Sequence, residues 1–451
     1  MTKVGSDMHL EAVSTATDPS DVAATATRPP AKPSLSRTET WIVALALAAV
    51  PTSAGSARGL LVPGLRLSEA ITVALGIWCV VRLGSRVRTS GPVFGAVFAF
   101  TAGSVVAGLL AASSRSDLPM SLLVQDSVGV AQYLILFVVA FNLAGFSGVV
   151  ERFVEILIWA GGAMGVIAVL QLAGFQPSRD LGTFVTGNLH IADPLLWKAP
   201  RSFGLFYAWH ALGGYLALVF ILGIAVMAGS LGTVRGRRLL WLPIGAVLAG
   251  LLTTLTFAPI AIGLGGAAVV TVWRHKLSHL LIASFVFLIV FFETEVGQEL
   301  NSRVIAQSAN SGGELPQTIA YRLNVWQRDF LPLIGENFWT GYGPTSEADA
   351  VFAYPESMYI AVLLRGGVLL LLALAVLMVV AIVVSYHGSK AASPEWSAAG
   401  SVATATMATI PLLLCAMIIH PYLTDAGISQ LFFVFVGISA AAAAAQKRRH
   451  R

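Results

Sequence analysis

The chain has 451 residues, 56% of them hydrophobic and only 11% charged, with a mean hydropathy of +0.78. Such a composition excludes a water-soluble domain and points to a polytopic helical membrane protein. The net charge of +5 sits largely in short interhelical segments, so it is explained by membrane topology and not by a nucleic-acid partner.

Residues 1–38 are rich in Ala, Thr, Ser, Pro and Asp, and read as a disordered cytoplasmic tail. Apolar runs then recur near residues 40–56, 67–83, 93–112, 122–144, 153–173, 204–228, 239–256, 258–273, 278–293, 357–385, 399–420 and 426–445. Each is close to the thickness of a hydrocarbon core, which predicts an all-α protein with about twelve spans and a transmembrane domain over residues 39–445. The clusters Arg82/Arg86/Arg88, Arg235/Arg237/Arg238 and Arg274/His275/Lys276, with the basic tail over residues 446–451, then share the cytoplasmic side with both termini. Pro51 and the Ala258-Pro259 pair mark segments that are either shorter spans or re-entrant hairpins.

Cys79 and Cys415 lie in apolar runs without metal-ligand spacing and read as small core residues. The external carboxylates lack the pairing of a divalent-metal site, so neither a metal nor a cofactor is expected. No nucleotide loop, zinc-protease motif, nucleophile elbow or dinucleotide fingerprint is present.

Two long external loops follow from this topology, over residues 174–203 and 294–355, the second between helices nine and ten. Arg201, just before the sixth span, is either a phosphate-binding guanidinium or an interfacial anchor. If that span starts near Arg201, His210 lies roughly 13 Å along it and serves either structure or chemistry. In the second loop, Arg322 and Trp326 share a helix face at i, i+4. The pair suits a sugar phosphate, or is an ordinary solvated Arg/Trp contact. Gly341-Tyr342-Gly343-Pro344 reads as a turn that needs glycine.

Where the loop meets the tenth span, Pro355-Glu356-Ser357-Met358-Tyr359 places a carboxylate and a tyrosine at a helix mouth. Glu356 is either a helix cap or a general base, with Tyr359 nearly on the same face. On a regular helix Arg365 is about 13 Å deeper and on the opposite face, which predicts a bond to a neighbouring helix and not to Glu356.

In this order the elements resemble the bacterial O-antigen ligase and O-antigen polymerase superfamily. The resemblance rests on Arg201-x-x-Gly204-x-Phe206, on Arg322-x-x-x-Trp326, on Gly341-x-Gly343, and on Glu356-x-x-Tyr359 with Gly367 after it. Ligases of this superfamily typically carry histidine where Glu356 stands, which favours the polysaccharide polymerase branch. The family's Ser/Thr-Arg pair appears as Thr256-Phe257, without the arginine.

What the resemblance implies is metal-independent glycosyl transfer at the external face of the cytoplasmic membrane, in which a polyprenyl-diphosphate-linked oligosaccharide is extended into a surface polysaccharide. Arg201 and Arg322 would stabilise the leaving diphosphate and Glu356 would act on the acceptor hydroxyl. Tyr359 and Trp326 would position the glycan, with His210 and Arg365 as further substrate-binding candidates. The partners expected are the lipid-linked glycan, membrane lipid and other polysaccharide assembly proteins. Transfer to a lipid, protein or wall acceptor is the alternative within enzymes, and a multi-pass transporter or flippase the alternative outside them.

Overall fold

The computed structural model describes residues 34–61, 64–89, 91–115, 118–192, 201–229, 234–274, 298, 302, 317–344, 355–390 and 397–449. Expectations for most of the N-terminal tail, the span at 278–293 and half of the second external loop lie outside the described residues. So do those for His275 and Lys276 and for the side chains of Arg235, Arg237 and Arg238.

The described residues form helices and no strands. In chain order the helices are α1 (Arg37–Ser53), α2 (Leu67–Leu83), α3 (Gly91–Ser114), α4 (Met120–Leu143), α5 (Val149–Leu172), α6 (Gln176–Thr186) and α7 (Trp209–Ala228). They are followed by α8 (Val234–Thr253), α9 (Phe257–Trp273), α10 (Gln317–Val325), α11 (Leu331–Glu336), α12 (Met358–Ser389), α13 (Ser397–Ala416) and α14 (Ile428–Arg449). Eight of these are long and apolar enough to cross a membrane: α2 to α5, α7 and α12 to α14; α8 and α9 contribute shorter apolar stretches. The chain therefore has the architecture of a multi-pass membrane protein.

Local chemistry sets several boundaries. α1 starts at a capping box in which Glu39 N donates to Ser36 Oγ and Ser36 N donates to the Glu39 carboxylate. Pro51 sits in its last turn. Between α8 and α9 the chain turns through Leu255 at φ 49°, so Ala258-Pro259 opens a helix, where proline is tolerated.

α7 is buried along nearly its whole length and forms the centre of the bundle. α5 and α8 meet at small residues: a Cβ on Gly165 would lie 2.1 Å from the Ala246 carbonyl oxygen, and one on Gly250 would lie 2.4 Å from Gly165 Cα. In lipid, where apolar burial gives no driving force between helices, such backbone approach gains dispersion contact.

One end of the bundle gathers the turns after α1, α3, α5, α8 and α13 with the segments before α7 and α12. Ala57 N donates to Val185 O at 2.9 Å, Ser202 N to Thr253 O at 3.3 Å and Met358 N to Met417 O at 2.8 Å. Arg115 donates to Pro344 O at 3.1 Å. The opposite end carries Arg82, Arg86, Arg88, Arg274, Lys390, Lys447 and Arg448.

Four expectations are corrected. The segment 174–203 is not merely a loop, because α6 forms an amphipathic helix within it, with Leu181 and Phe184 exposed. Cys79 is buried as expected, but Cys415 is exposed and is not a core residue. The sixth span begins at Trp209 and not near Arg201, because residues 201–208 fold as a turn clamped by Gln171. The Gln171 side chain accepts from Phe203 N at 3.0 Å and Gly204 N at 2.8 Å, and donates to Gly204 O at 2.9 Å.

The fourth concerns α12, which is not a regular helix. It breaks at Gly366 (φ −144°) and Gly367 (φ 63°). A Cβ on Gly367 would meet Trp339 carbonyl atoms at 2.4 Å, so both the positive φ and the close backbone require glycine. The Gly341-Tyr342-Gly343 turn docks at this break, with Tyr342 N donating to Leu364 O at 2.6 Å and Val368 N to Phe338 O at 2.9 Å.

Candidate functional site

The α10 helix and the π-helical turn after it, Trp326–Phe330, fold back on the segment that enters α12. Arg322 Nε donates to Glu356 Oε2 at 2.5 Å, and Trp326 Nε1 donates to Pro355 O at 2.7 Å. The i, i+4 pair thus grips two consecutive residues of the junction. Phe330 and Leu364 are buried in a small apolar cluster beneath, against which Trp326 and Tyr342 pack.

Glu356 does not cap the helix. α12 starts at Met358 with Ser357 as the residue before it, and Glu356 stands one position further out at φ 48°. A left-handed conformation in a non-glycine residue costs about 1–3 kcal/mol and persists only where its surroundings impose it. Here they do. Arg322 and Trp326 hold one side, and on the other Met358 N and Ser357 Oγ both donate to Met417 O, at 2.8 and 3.4 Å. The side chains of Glu356 and Arg322 retain 34% and 25% exposure, so the ion pair is reachable from outside the bundle.

Tyr359 OH donates to Leu414 O at 2.8 Å and ties α12 to α13. That bond fixes the tyrosine ring beside the junction. Arg365, as expected, bonds a neighbouring helix: its Nη2 donates to Asp126 of α4 at 2.5 Å, while its Nε is buried without a partner. Arg365 is therefore placed apart from Glu356 and pinned at the break in α12.

Met417 leads into the α13–α14 turn, which holds two residues that sequence reasoning missed. His420 Nε2 is 2.8 Å from Asp425 Oδ2, and His210 Nε2 is 3.6 Å from Asp425 Oδ1. The two imidazole rings lie 4.0 Å apart. Because α7 starts at Trp209, His210 lies in its first turn at the mouth of the bundle, not 13 Å inside. Arg201 stacks over the Trp209 ring at 4.7 Å, beside His210.

Asp425 is almost completely enclosed. Burial penalises its charged form, but the charge and hydrogen bond of His420, with His210 close beside it, outweigh that and hold its pKa below the ordinary carboxylate value. A lowered folded-state pKa contributes stability above the unfolded value, about 3.9, and that stability is lost as pH falls through the folded value. Asp425→Asn is expected to cost about 1–3 kcal/mol at neutral pH and to flatten the acid limb of the stability profile. Thermal unfolding in nanodiscs from neutral to acidic pH measures both effects.

Among the described residues, His210, His420 and Asp425 bring donor atoms within 4.8 Å of one another and could hold a metal ion. A hydrogen bond joins His420 to Asp425, and His210 lies 3.6 Å from the same carboxylate. Among the groups at this end are the Arg201 guanidinium on an indole, the Arg322 guanidinium on the Glu356 carboxylate with its strained backbone, and a His-Asp-His cluster. Such a set can bind a phosphorylated, ring-bearing ligand and move a proton at its edge. No protein-family model and no curated protein matches the chain.

Proposed function

We propose that the chain is a glycosyltransferase that polymerises polyprenyl-diphosphate-linked oligosaccharide units at the external face of the cytoplasmic membrane. The proposed topology has twelve spans, both termini cytoplasmic, and the Glu356 end outside. The observation that carries this reading is the closed Arg322–Glu356 pair on left-handed backbone, with Trp326 on the adjoining carbonyl. Support also comes from the basic end of the bundle lying opposite the site.

Arg322 engages the Glu356 carboxylate through Oε2, and the carboxylate's remaining lone pairs can accept the acceptor hydroxyl's proton. Donor diphosphate draws Arg322 away, with Arg201 as the second cation, and the Glu356 carboxylate turns to the acceptor sugar. The acceptor oxygen attacks the anomeric carbon as the bond from that carbon to the diphosphate oxygen breaks. The electron pair stays on the diphosphate, where the arginines stabilise it, and the hydroxyl proton passes to Glu356. Attack opposite the leaving group inverts the anomeric centre.

Arg201→Ala and Arg322→Ala are each expected to lower turnover about 100-fold or more, the scale set by losing one charge-stabilising donor. Chelation with EDTA is expected to leave the parent rate unchanged. Single-turnover assays on a defined lipid-linked donor test both, and full activity of both arginine variants would contradict the assignment.

A further inference from the structure

Far from the Glu356 site, α2 and α4, with Phe94 of α3, line a groove of 530 Å³. They touch at Gly76, where a Cβ would lie 3.0 Å from Ile135 Cγ2. Val73, Ile77 and Val80 line one wall, Leu134, Ile135 and Val138 the other, and every lining residue is apolar apart from the buried Cys79. Val73, Ile77, Val80 and Val81 are exposed and recur on one helical face, so this wall is open to the bilayer.

Val87 closes the groove at the basic end and stands between Arg86 and Arg88, both exposed. That turn is fixed by α4. The buried Asn142 side chain accepts from Arg88 N and donates to Arg88 O, both at 2.8 Å, and donates to Val138 O at 2.8 Å. The backbone is thus held while both guanidiniums remain in solvent above an apolar slot. Arg82, one turn up α2, adds a third cation, 4.0 Å from Glu39.

An apolar slot with two exposed arginines at its end is complementary to an acyl chain below a phosphate. We infer that this groove is a binding site for an anionic phospholipid of the leaflet at the basic end, with one acyl chain between α2 and α4 and the phosphate at Arg86 and Arg88. Clustered cations at the cytoplasmic membrane surface select anionic over zwitterionic headgroups. The site stands independently of the proposed glycosyl transfer.

Native mass spectrometry of the full chain in detergent, titrated with phosphatidylglycerol and with phosphatidylcholine, tests it. Each arginine near the surface is worth roughly five-fold, so the Arg86→Gln/Arg88→Gln double variant is expected to lose about ten- to thirty-fold in phosphatidylglycerol affinity. Phosphatidylcholine binding should stay unchanged. A groove-filling Val80→Trp variant is expected to weaken both lipids, with thermal unfolding showing that it remains folded. Equal binding of the two lipids by the parent chain, or an unchanged phosphatidylglycerol preference in the double variant, would overturn the inference. So would a dimer that buries α2 and excludes lipid from it.

Discussion

Glu356→Gln is expected to lower the rate of glycosyl transfer by 10²–10⁴-fold, the range lost with a positioned general base, while the protein folds and binds donor. The substitution keeps the side chain's size and a hydrogen-bond acceptor for Arg322 but removes the charge. The junction itself is held by bonds that do not involve the carboxylate: Trp326 Nε1 to Pro355 O, Met358 N to Met417 O and Tyr359 OH to Leu414 O. A purely structural role for Glu356 would therefore appear as a lowered unfolding temperature with kcat preserved. A base role appears as a loss in kcat with little change in KM. The histidine variant, Glu356→His, offers a base of different charge at the same strained position, and partial activity with an altered pH profile is expected from it.

Asp126→Ala is expected to destabilise the protein by about 1–3 kcal/mol, because it leaves a part-buried cation without its partner. Arg365 is 20% exposed, its Nη2 is committed to Asp126, and its Nε already has no partner. Removing both charges with Asp126→Leu/Arg365→Met should recover most of that loss, since a well-packed apolar pair often equals a buried ion pair in stability. The pair also locates the break in α12. With Arg365 anchored to α4 and the Gly341-Tyr342-Gly343 turn seated on Leu364 O, the half-helix that begins at Met358 is held at the angle that presents Glu356. Unfolding of the single and double variants in nanodiscs measures the coupling. An Asp126→Ala cost below about 1 kcal/mol would place the pair among exposed ones.

Hydropathy made much of this architecture legible, because spans in lipid must be continuous apolar helices of fixed length. The α2 span matches its expected range, 67–83, to the residue. Arg322 and Trp326 could be paired because they share a helix face, whereas Glu356 was set beside them by the motif resemblance. Hydropathy misled at residues 204–206, where Leu205 and Phe206 read as helix yet belong to a turn at Gly204, φ 57°, with Phe206 buried. It was also blind to the Gly366-Gly367 break, since two glycines barely lower the mean hydropathy of a long apolar run. His420 and Asp425 went unnoticed for a different reason. They lie in a short turn far along the chain from His210, and only the packing of α7 against α13 and α14 brings them together. Asp126 was hidden in the same way, as a single carboxylate in the first turns of an apolar helix. An intramembrane ionisable residue without a sequence-local partner is the signal that could have found it.

The most direct test of the central claim is incubation of the purified full chain, in nanodiscs with EDTA present, with a defined polyprenyl-diphosphate oligosaccharide. The proposed function predicts a ladder of products that grow by whole repeat units, released polyprenyl diphosphate in matching amount, and no ladder from Glu356→Gln. A single transfer to a non-glycan acceptor would contradict polymerisation, and movement of intact donor across the bilayer without bond formation would contradict glycosyl transfer altogether.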